Sequence, residues 1–258
     1  RAVAAELGYR HVDSGAMYRA VGWKALQQGL DVQDERALAS LADASHIDIS
    51  ASAVTIDGID VTRAIRTPEI DRAAAICNSA RRAVTSMFSD ARMGKAINKE
   101  VARQVAEDIT HSVTRNAHAL ISLARLKTAD DYTFMHSVAV CALMVALARQ
   151  LKLSDEEVHA AGFAGLLHDL GKMDIPLEVL NKAGRLTEAE FAQVRLHPEH
   201  GHRRLLAAGV DDPMALDVCL HHHEKIDGKG YPKRLAGEAI SRMARMGAVC
   251  DVYDAITS

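Results

Sequence analysis

The stretch Leu166–Pro176, LLHDLGKMDIP, places a histidine beside an aspartate at the foot of an apolar run that is rich in small residues. Adjacent residues of an α-helix point about 100° apart. His168 and Asp169 can therefore reach one centre only if that centre lies near the end of the helix. A carboxylate in such a place can bridge two ions while the imidazole binds one of them. The pattern predicts a helix that starts near Asp155 and ends at the glycine of HDLGK, beside a metal centre.

Further histidines and an aspartate recur at intervals that suit a helical bundle. Between Asp130 and Leu151 the apolar spacing predicts a helix whose buried face carries His136 with Val140, Leu143, Leu147 and Leu151. Three more clusters follow, each about a helix, a turn and a return further along. They contain His197, the pair His222 and His223, and Asp251. Successive helices can bring such side chains to one end of a bundle, where di-metal sites are commonly built.

The remaining histidines have a simpler interpretation. The chain contains 13 histidines, most of them after His111. His221 is ambiguous, because three histidines stand in a row. We interpret the others as surface or helix-packing residues: His46, His111, His118, His159, His200 and His202.

Composition excludes several classes of function. The net charge of −3 gives no field that would attract DNA or anionic lipid. No run approaches the ~20 apolar residues that a bilayer requires, and no signal peptide is visible, so we expect a cytoplasmic protein without membrane contact. The 4 cysteines form no C-x-x-C pair, and we interpret them as small buried hydrophobic residues.

The chain has two parts with different sequence patterns. Residues 1–75 mix a strand-like GYRHVDSG, a helix from Ala16 to Gln28 and a β-hairpin in which Asp57-Gly58 forms the turn between Val54, Ile56 and Val61. Residues 76–258 carry long amphipathic stretches without strand signals. We predict a mainly α protein, with a helical bundle preceded by a small α/β segment.

The first part resembles cytidylate kinase, over about residues 1–72. The resemblance rests on GYRHVDSGAMYRAVGWKAL and VTIDGIDVTRAIRTPEI, and it implies that Arg19 contacts a nucleotide phosphate. A kinase also needs a G-x-x-x-x-G-K-[ST] loop for the donor phosphates, and this sequence has none. We therefore expect a catalytically silent segment.

The second part resembles the HD-GYP branch of the HD phosphohydrolases, over about residues 85–258. The resemblance rests on HDLGK followed by HHEKIDGKGYP, in the family's order and spacing. It implies an HD-type helical bundle that hydrolyses cyclic di-GMP to pGpG, GMP or both. An alternative is a module that senses the dinucleotide or docks a partner without turnover.

The resemblance also implies a role for each site residue. Asp169 would bridge two metal ions, and Lys172 would contact substrate phosphate. The donors themselves, imidazole and carboxylate without thiolate, favour divalent transition metals, and we expect Fe or Mn, with Zn or Ni as alternatives. Gly230 and Tyr231 lie in the loop Gly228–Pro232, which would close over the nucleotide and could bind a protein partner. The implied metal ligands are His136, His168, Asp169, His197, His222, His223 and Asp251.

The sequence departs from the family pattern at two places. Tyr132 stands where some members carry a glutamate for a third metal, so we expect two ions. The family continues past D-A-x-T-S into a basic R-P-Y stretch, whereas this sequence ends at Ser258, and we expect weakened phosphate binding. The helical lead-in Met87–Leu123 is also a candidate homodimer surface.

Overall fold

The computed structural model of the chain describes residues 14–28, 40–50, 53–65, 68–124 and 132–257. The chain divides into two compact units. The first ends at Asp71, and the second begins at Arg72. The predicted fold class is confirmed: the second unit is helical, and the first contains a small sheet beside a helix.

The N-terminal unit pairs a helix with a three-stranded antiparallel sheet. Helix α1 is Ser14–Gln27, and strands β1 (Ile47–Ile49), β2 (Val54–Ile56) and β3 (Ile59–Asp60) lie in that order in the sheet. The predicted hairpin is confirmed, because Asp57 and Gly58 join β2 to β3 with φ of 51° and 79°. Ala16 and Ala20 of α1 pack against β2 in one apolar core.

Two features of this unit differ from the sequence expectations. Strand β1, which the sequence analysis missed, pairs with β2 through the partners Ile47 and Ile56. Of the strand-like GYRHVDSG, only Ser14 and Gly15 are described, and they begin α1 rather than a strand. The other residues of that stretch lie outside the described part of the chain.

The second unit contains nine helices within its described residues. Between them run two 3₁₀ turns, Leu170–Asp174 and Gly237–Ala239, and an isolated β-bridge that joins Asp227 to Ala236. The helices are α2 Pro68–Arg92, α3 Lys99–Ala124, α4 Tyr132–Gln150, α5 Asp155–Leu167, α6 Leu177–Leu180, α7 Glu188–Val194, α8 His197–Ala207, α9 Pro213–His221 and α10 Arg242–Thr257.

Helix α4 is the central helix of this unit, with α3, α5 and α10 packed around it. His136 and Val140 are buried as predicted, but Leu151 is wrong as a buried residue: it follows the helix and is 49% exposed. Because neighbours surround α4, burial extends round the helix instead of following one stripe. Within the described residues, Thr133–Gln150 alone is long and apolar enough for a membrane span, and 61% of it is buried, as in a core helix.

Helix α5 packs closely on α4 and begins with a capping box. The Ser154 side chain accepts from the backbone N–H of Glu157, whose carboxylate accepts in return from the backbone N–H of Ser154. A Cβ at Gly165 would lie only 3.0 Å from the Cα of Cys141, so the small residues of α5 allow the close approach of α4. The predicted end at Gly171 is wrong, because α5 stops at Leu167 and the chain tightens into the 3₁₀ turn.

Candidate metal centre

The turn after α5 places the two adjacent side chains of HDLGK at one centre. His168 keeps helical dihedral angles as the C-cap, whereas Asp169 departs from them, at φ −101° and ψ 10°. This change of direction lets both side chains point into the same buried space. Gly171 follows in close contact with α8, where a Cβ would overlap the carbonyl oxygen of His197 and the backbone nitrogen of Gly201. The glycine of the motif therefore fixes the turn against the helix that supplies His197.

Asp169 lies between two groups of histidines, and its carboxylate is fully buried. Its Oδ1 is 3.3 Å from Nε2 of His197 and 3.8 Å from Nε2 of His222. Its Oδ2 is 3.3 Å from Nε2 of His168 and 3.5 Å from Nε2 of His136. Each oxygen of one carboxylate thus faces a different pair of imidazoles.

Asp251 and His223 complete the two groups. Asp251 Oδ1 lies 2.9 Å from His136 Nε2 and 3.9 Å from His168 Nε2, and its Oδ2 lies 3.9 Å from His223 Nδ1. Within each group the possible ligand atoms lie within 4.8 Å of one another. The structure therefore brings together all seven side chains that the sequence analysis selected. The groups are Asp169, His197, His222 and His223, which we call set A, and His136, His168 and Asp251, which we call set B.

Backbone carbonyls orient three of these imidazoles. The Nδ1 of His168 is 2.8 Å from the carbonyl oxygen of Gly165, and the Nδ1 of His197 is 2.7 Å from that of Val194. The Nδ1 of His222 is likewise 2.9 Å from a carbonyl oxygen one helical turn earlier. Because Nδ1 donates in each case, Nε2 carries the lone pair that faces Asp169, which is the tautomer a metal ligand needs.

Asp254 orients the fourth imidazole, and sequence reasoning missed it. Its Oδ2 lies 2.5 Å from Nδ1 of His136, and its side chain is fully buried. Asp251 and Asp254 are three residues apart on α10, so both project from one helix face. That spacing in DVYD was the signal that could have identified Asp254 as a partner of the site.

Burial and neighbouring charges shift the pKa values of these histidines in opposite directions. Burial lowers the pKa of His197 to about 3 and that of His223 to about 4, so both are neutral at pH 7. For His136 burial also lowers the pKa, but hydrogen bonds with Asp251 and Asp254 outweigh it and raise the pKa to about 9. Burial raises the pKa of Asp169, whereas the charge of Lys172 and the neighbouring His168 hold it well below its ordinary value.

The donor chemistry fits divalent transition metals. Two buried polar atoms of this cluster, His168 Nε2 and Asp169 Oδ1, have no hydrogen-bond partner among the described residues. Such atoms are costly to bury unless something else satisfies them. Both point into the space between the two sets, and imidazole with carboxylate is a donor combination typical of iron, manganese, zinc and nickel. The buried cluster can therefore bind metal.

Lys172 supplies the positive charge at this centre. Its Nζ lies 2.5 Å from Asp169 Oδ2, and 23% of its side chain is exposed. The backbone that carries it is tied to α2, because Arg92 donates to the carbonyl oxygens of Ile175 and Lys172 at 3.0 and 3.3 Å. The ammonium group is thus fixed at the opening of the buried cluster.

The loop Gly228–Pro232, which we call the GYP loop, folds back over set A. Tyr231 stacks on the His223 imidazole, with ring centroids 4.8 Å apart, and its backbone N–H donates to the His223 carbonyl oxygen at 3.2 Å. A Cβ on Gly230 would lie 2.5 Å from the Cα of Glu224, so this approach requires glycine. The buried Glu224 carboxylate accepts from the backbone N–H groups of Lys233 and Leu235 at 2.6 and 3.0 Å, which holds the end of the loop.

The other residues selected from the sequence are not members of the two sets. His221 Nδ1 pairs with Asp217 at 2.7 Å. His111 and His159 are exposed, and their rings contact each other edge to face with centroids 5.8 Å apart. Arg19 lies half-buried on α1 of the N-terminal unit. The four cysteines are buried and free.

Comparison with known families gives two matches. The HD domain model matches residues 100–258, and the cytidylate kinase model matches residues 1–127. Both resemblances noted from the sequence are confirmed, although the kinase match continues well beyond residue 72. The chain is also similar to a solved structure, the HDG"Y"P protein Bd1817 of Bdellovibrio bacteriovorus. That likeness has a TM-score of 0.60 at 20% identity over 88% of this chain and 71% of the other, and it supports the fold.

One curated relative matches nearly the whole chain, and another matches half of it. The cyclic di-GMP phosphodiesterase PA4108 of Pseudomonas aeruginosa is 53% identical over 92% of this chain and 55% of its own length. The 3'3'-cGAMP-specific phosphodiesterase 1 of Vibrio cholerae is 37% identical over 50% of this chain and 30% of its own length. The chain thus spans about half, or less, of the length of these relatives.

Proposed function

This chain belongs to the HD domain family, and we propose that it is a metal-dependent phosphodiesterase that hydrolyses cyclic di-GMP to linear pGpG, GMP or both. The observation that carries the proposal is the position of Asp169. Its two carboxylate oxygens face two separate groups of imidazoles at 3.3–3.8 Å. The similarity to PA4108 supports the choice of substrate.

We further propose two divalent ions, one held by each set, with Asp169 shared between them. Iron or manganese suits this mixture of nitrogen and oxygen donors, and zinc or nickel would also fit. When bound, such a pair of ions would supply an activated water at neutral pH and would neutralise charge on the attacking and leaving oxygens. The residues that would hold them are His136, His168, Asp169, His197, His222, His223 and Asp251.

The residues of the chain contribute orientation and charge. The carbonyl contacts of His168, His197 and His222 fix their imidazoles before any ligand arrives, so little rotational freedom is lost on binding. Lys172 places a positive charge where the oxygens of the phosphate become more negative in the transition state. Its hydrogen bond with Asp169 keeps the ammonium group at that position.

Tyr231 and the GYP loop would form one wall of the substrate site. The tyrosine side chain lies beside set A, where a bound substrate would contact its edge, because His223 and Arg195 already lie against its ring. Gly230 would act through the backbone by letting Tyr231 lie against His223. The same loop could bind a protein partner, since the neighbouring Ile226 is 70% exposed.

The test is hydrolysis by metal-loaded protein, with Asp169→Asn as the inactive variant and His221→Gln as a matched histidine control outside the sets. We expect cyclic di-GMP to be converted to pGpG or GMP by the wild type and the control. Asp169→Asn should lose most of the activity, because the carboxylate that both sets share is gone.

A second substrate is favoured by one comparison, the cGAMP-specific relative from Vibrio cholerae. The same assay with 3'3'-cGAMP would identify it if that dinucleotide is cleaved and cyclic di-GMP is not. Binding of cyclic di-GMP without turnover of either dinucleotide, in protein shown to contain two ions, would instead support a sensing module.

A further inference from the structure

A stack of side chains lines the opening of the site. The guanidinium carbon of Arg195 lies 5.1 Å from the Tyr231 ring centroid and 5.0 Å from that of Phe191. Tyr231 in turn stacks on His223 with an angle of 26° between the rings. The stack therefore runs from a member of set A to an exposed arginine at the surface.

Arg195 differs from the neighbouring cations in having no carboxylate partner among the described residues. Lys172 pairs with Asp169, and Lys233 pairs with Glu199. A guanidinium that lies on an aromatic face keeps its N–H edge available for a planar acceptor, and phosphate is the acceptor that this fork matches best. The N–H groups of Arg195 are thus available as hydrogen-bond donors for a phosphate near the metal-binding residues.

The backbone at Arg195 is held in place at the junction of two helices. Its N–H donates to the Phe191 carbonyl oxygen at 3.0 Å as α7 ends, and α8 begins two residues later at His197. Helix α7 has a capping box in which Glu190 also accepts from Lys182 at 2.7 Å. This preorganisation reduces the entropy that the side chain would lose on binding a ligand.

Cyclic dinucleotides carry two phosphodiesters in one ring, and only one of them can occupy the reacting position between the two sets. The other must lie further out, where Lys172 cannot also neutralise it. We propose that Arg195 binds this second phosphate and so makes the site selective for a two-phosphate ring over a single phosphodiester. This inference rests on the proposed function.

The experiment compares two substrates in Arg195→Ala and Arg195→Lys. One is cyclic di-GMP, and the other is bis(p-nitrophenyl) phosphate, which has a single phosphate. Hydrogen bonds to charged groups typically contribute enough for a tenfold to hundredfold change, so KM for cyclic di-GMP should rise by roughly that factor in Arg195→Ala. Arg195→Lys should show a smaller rise, and turnover of the single phosphodiester should stay at the wild-type value in both.

The control is Arg203→Ala, which removes an exposed arginine on α8 whose charge acts on Asp174 and His200. It should leave both substrates unchanged. The proposal is overturned if Arg195→Ala keeps the wild-type KM for cyclic di-GMP, or if both substrates lose activity equally, as a purely structural role for the stack would require.

Failure of the proposed function gives a different result. Wild-type protein would then cleave bis(p-nitrophenyl) phosphate but not cyclic di-GMP, and calorimetric titration with cyclic di-GMP decides the role of Arg195. A tenfold or larger loss of affinity in Arg195→Ala, with none in Arg203→Ala, supports the second-phosphate site. Equal affinities, or no binding by the wild type, overturn it.

Discussion

Asp254 shows how one residue outside the two sets can control one inside. Its carboxylate is the Nδ1 partner of His136, and an amide in its place can no longer stabilise a positively charged or strongly basic imidazole. We expect Asp254→Asn to fold but to bind metal at set B about tenfold to a hundredfold more weakly, in line with the usual effect of losing such partners. Metal titration followed by elemental analysis measures this.

A matched control exists in Asp217→Asn, which alters an aspartate–histidine pair of similar distance on α9 whose members belong to neither set. Its metal content should equal that of the wild type. Equal metal affinity in Asp254→Asn and the wild type would show that His136 needs no carboxylate partner.

The metal-free protein should be most stable near pH 6.5, because its histidines are shifted in opposite directions. His136 has a raised pKa of about 9. Its contribution to the free energy of unfolding is therefore complete below pH 6.5 and is lost as the pH rises through 9. His197 and His223 have lowered pKa values of about 3 and 4, so their contributions are complete above 6.5 and are lost as the pH falls toward those values.

Urea unfolding of the metal-free wild type and of metal-free His136→Gln across this pH range tests whether His136 causes the loss of stability at alkaline pH. The pKa difference for His136 corresponds to roughly 3 kcal/mol of unfolding free energy between neutral pH and pH values above 9. His136→Gln should lack this decline. An equal decline in the variant and the wild type would assign the alkaline limb to other groups.

At the scale of elements, the contact between the 3₁₀ turn and α8 holds Asp169 beside His197 within set A. A Cβ at Gly171 would overlap backbone atoms of His197 and Gly201, which cannot rotate away as a side chain would. Gly171→Ala should therefore cost about 3 kcal/mol or more of unfolding free energy, at or above the upper end of ordinary overpacking. It should also lower the metal content, because the same contact positions Asp169 relative to His197.

Chemical denaturation of the metal-free protein measures the first effect, with Gly94→Ala as control. Gly94 follows α2 at φ 78° with open space around it, so only backbone strain of about 1–2 kcal/mol is expected there. Similar losses in the two variants would mean that the turn and α8 separate easily, contrary to the close contact described.

The elements explain what the sequence could predict and what it could not. Ligands at helix ends, such as His168 and His197, could be selected because their spacing places successive helix ends at one end of a bundle. Arg195 and Glu224 could not, because their roles come from contacts across loops that no periodicity records. The wrong burial of Leu151 came from reading α4 as amphipathic when its neighbours surround it.

At the scale of the whole chain, the two units occur together in a relative. The alignment with PA4108 covers 92% of this chain, so it extends into the N-terminal unit as well as the helical one. The cytidylate kinase match covers the same N-terminal residues. From the sequence we expect the N-terminal segment to be catalytically silent, and this stays a prediction.

The central claim is that residues from five distant stretches hold two ions around one shared carboxylate. Anomalous diffraction from crystals of protein loaded with manganese tests it most directly. Two anomalous peaks should flank Asp169, one beside His197, His222 and His223, and the other beside His136, His168 and Asp251. A single peak, or peaks that lie away from Asp169, would contradict the account.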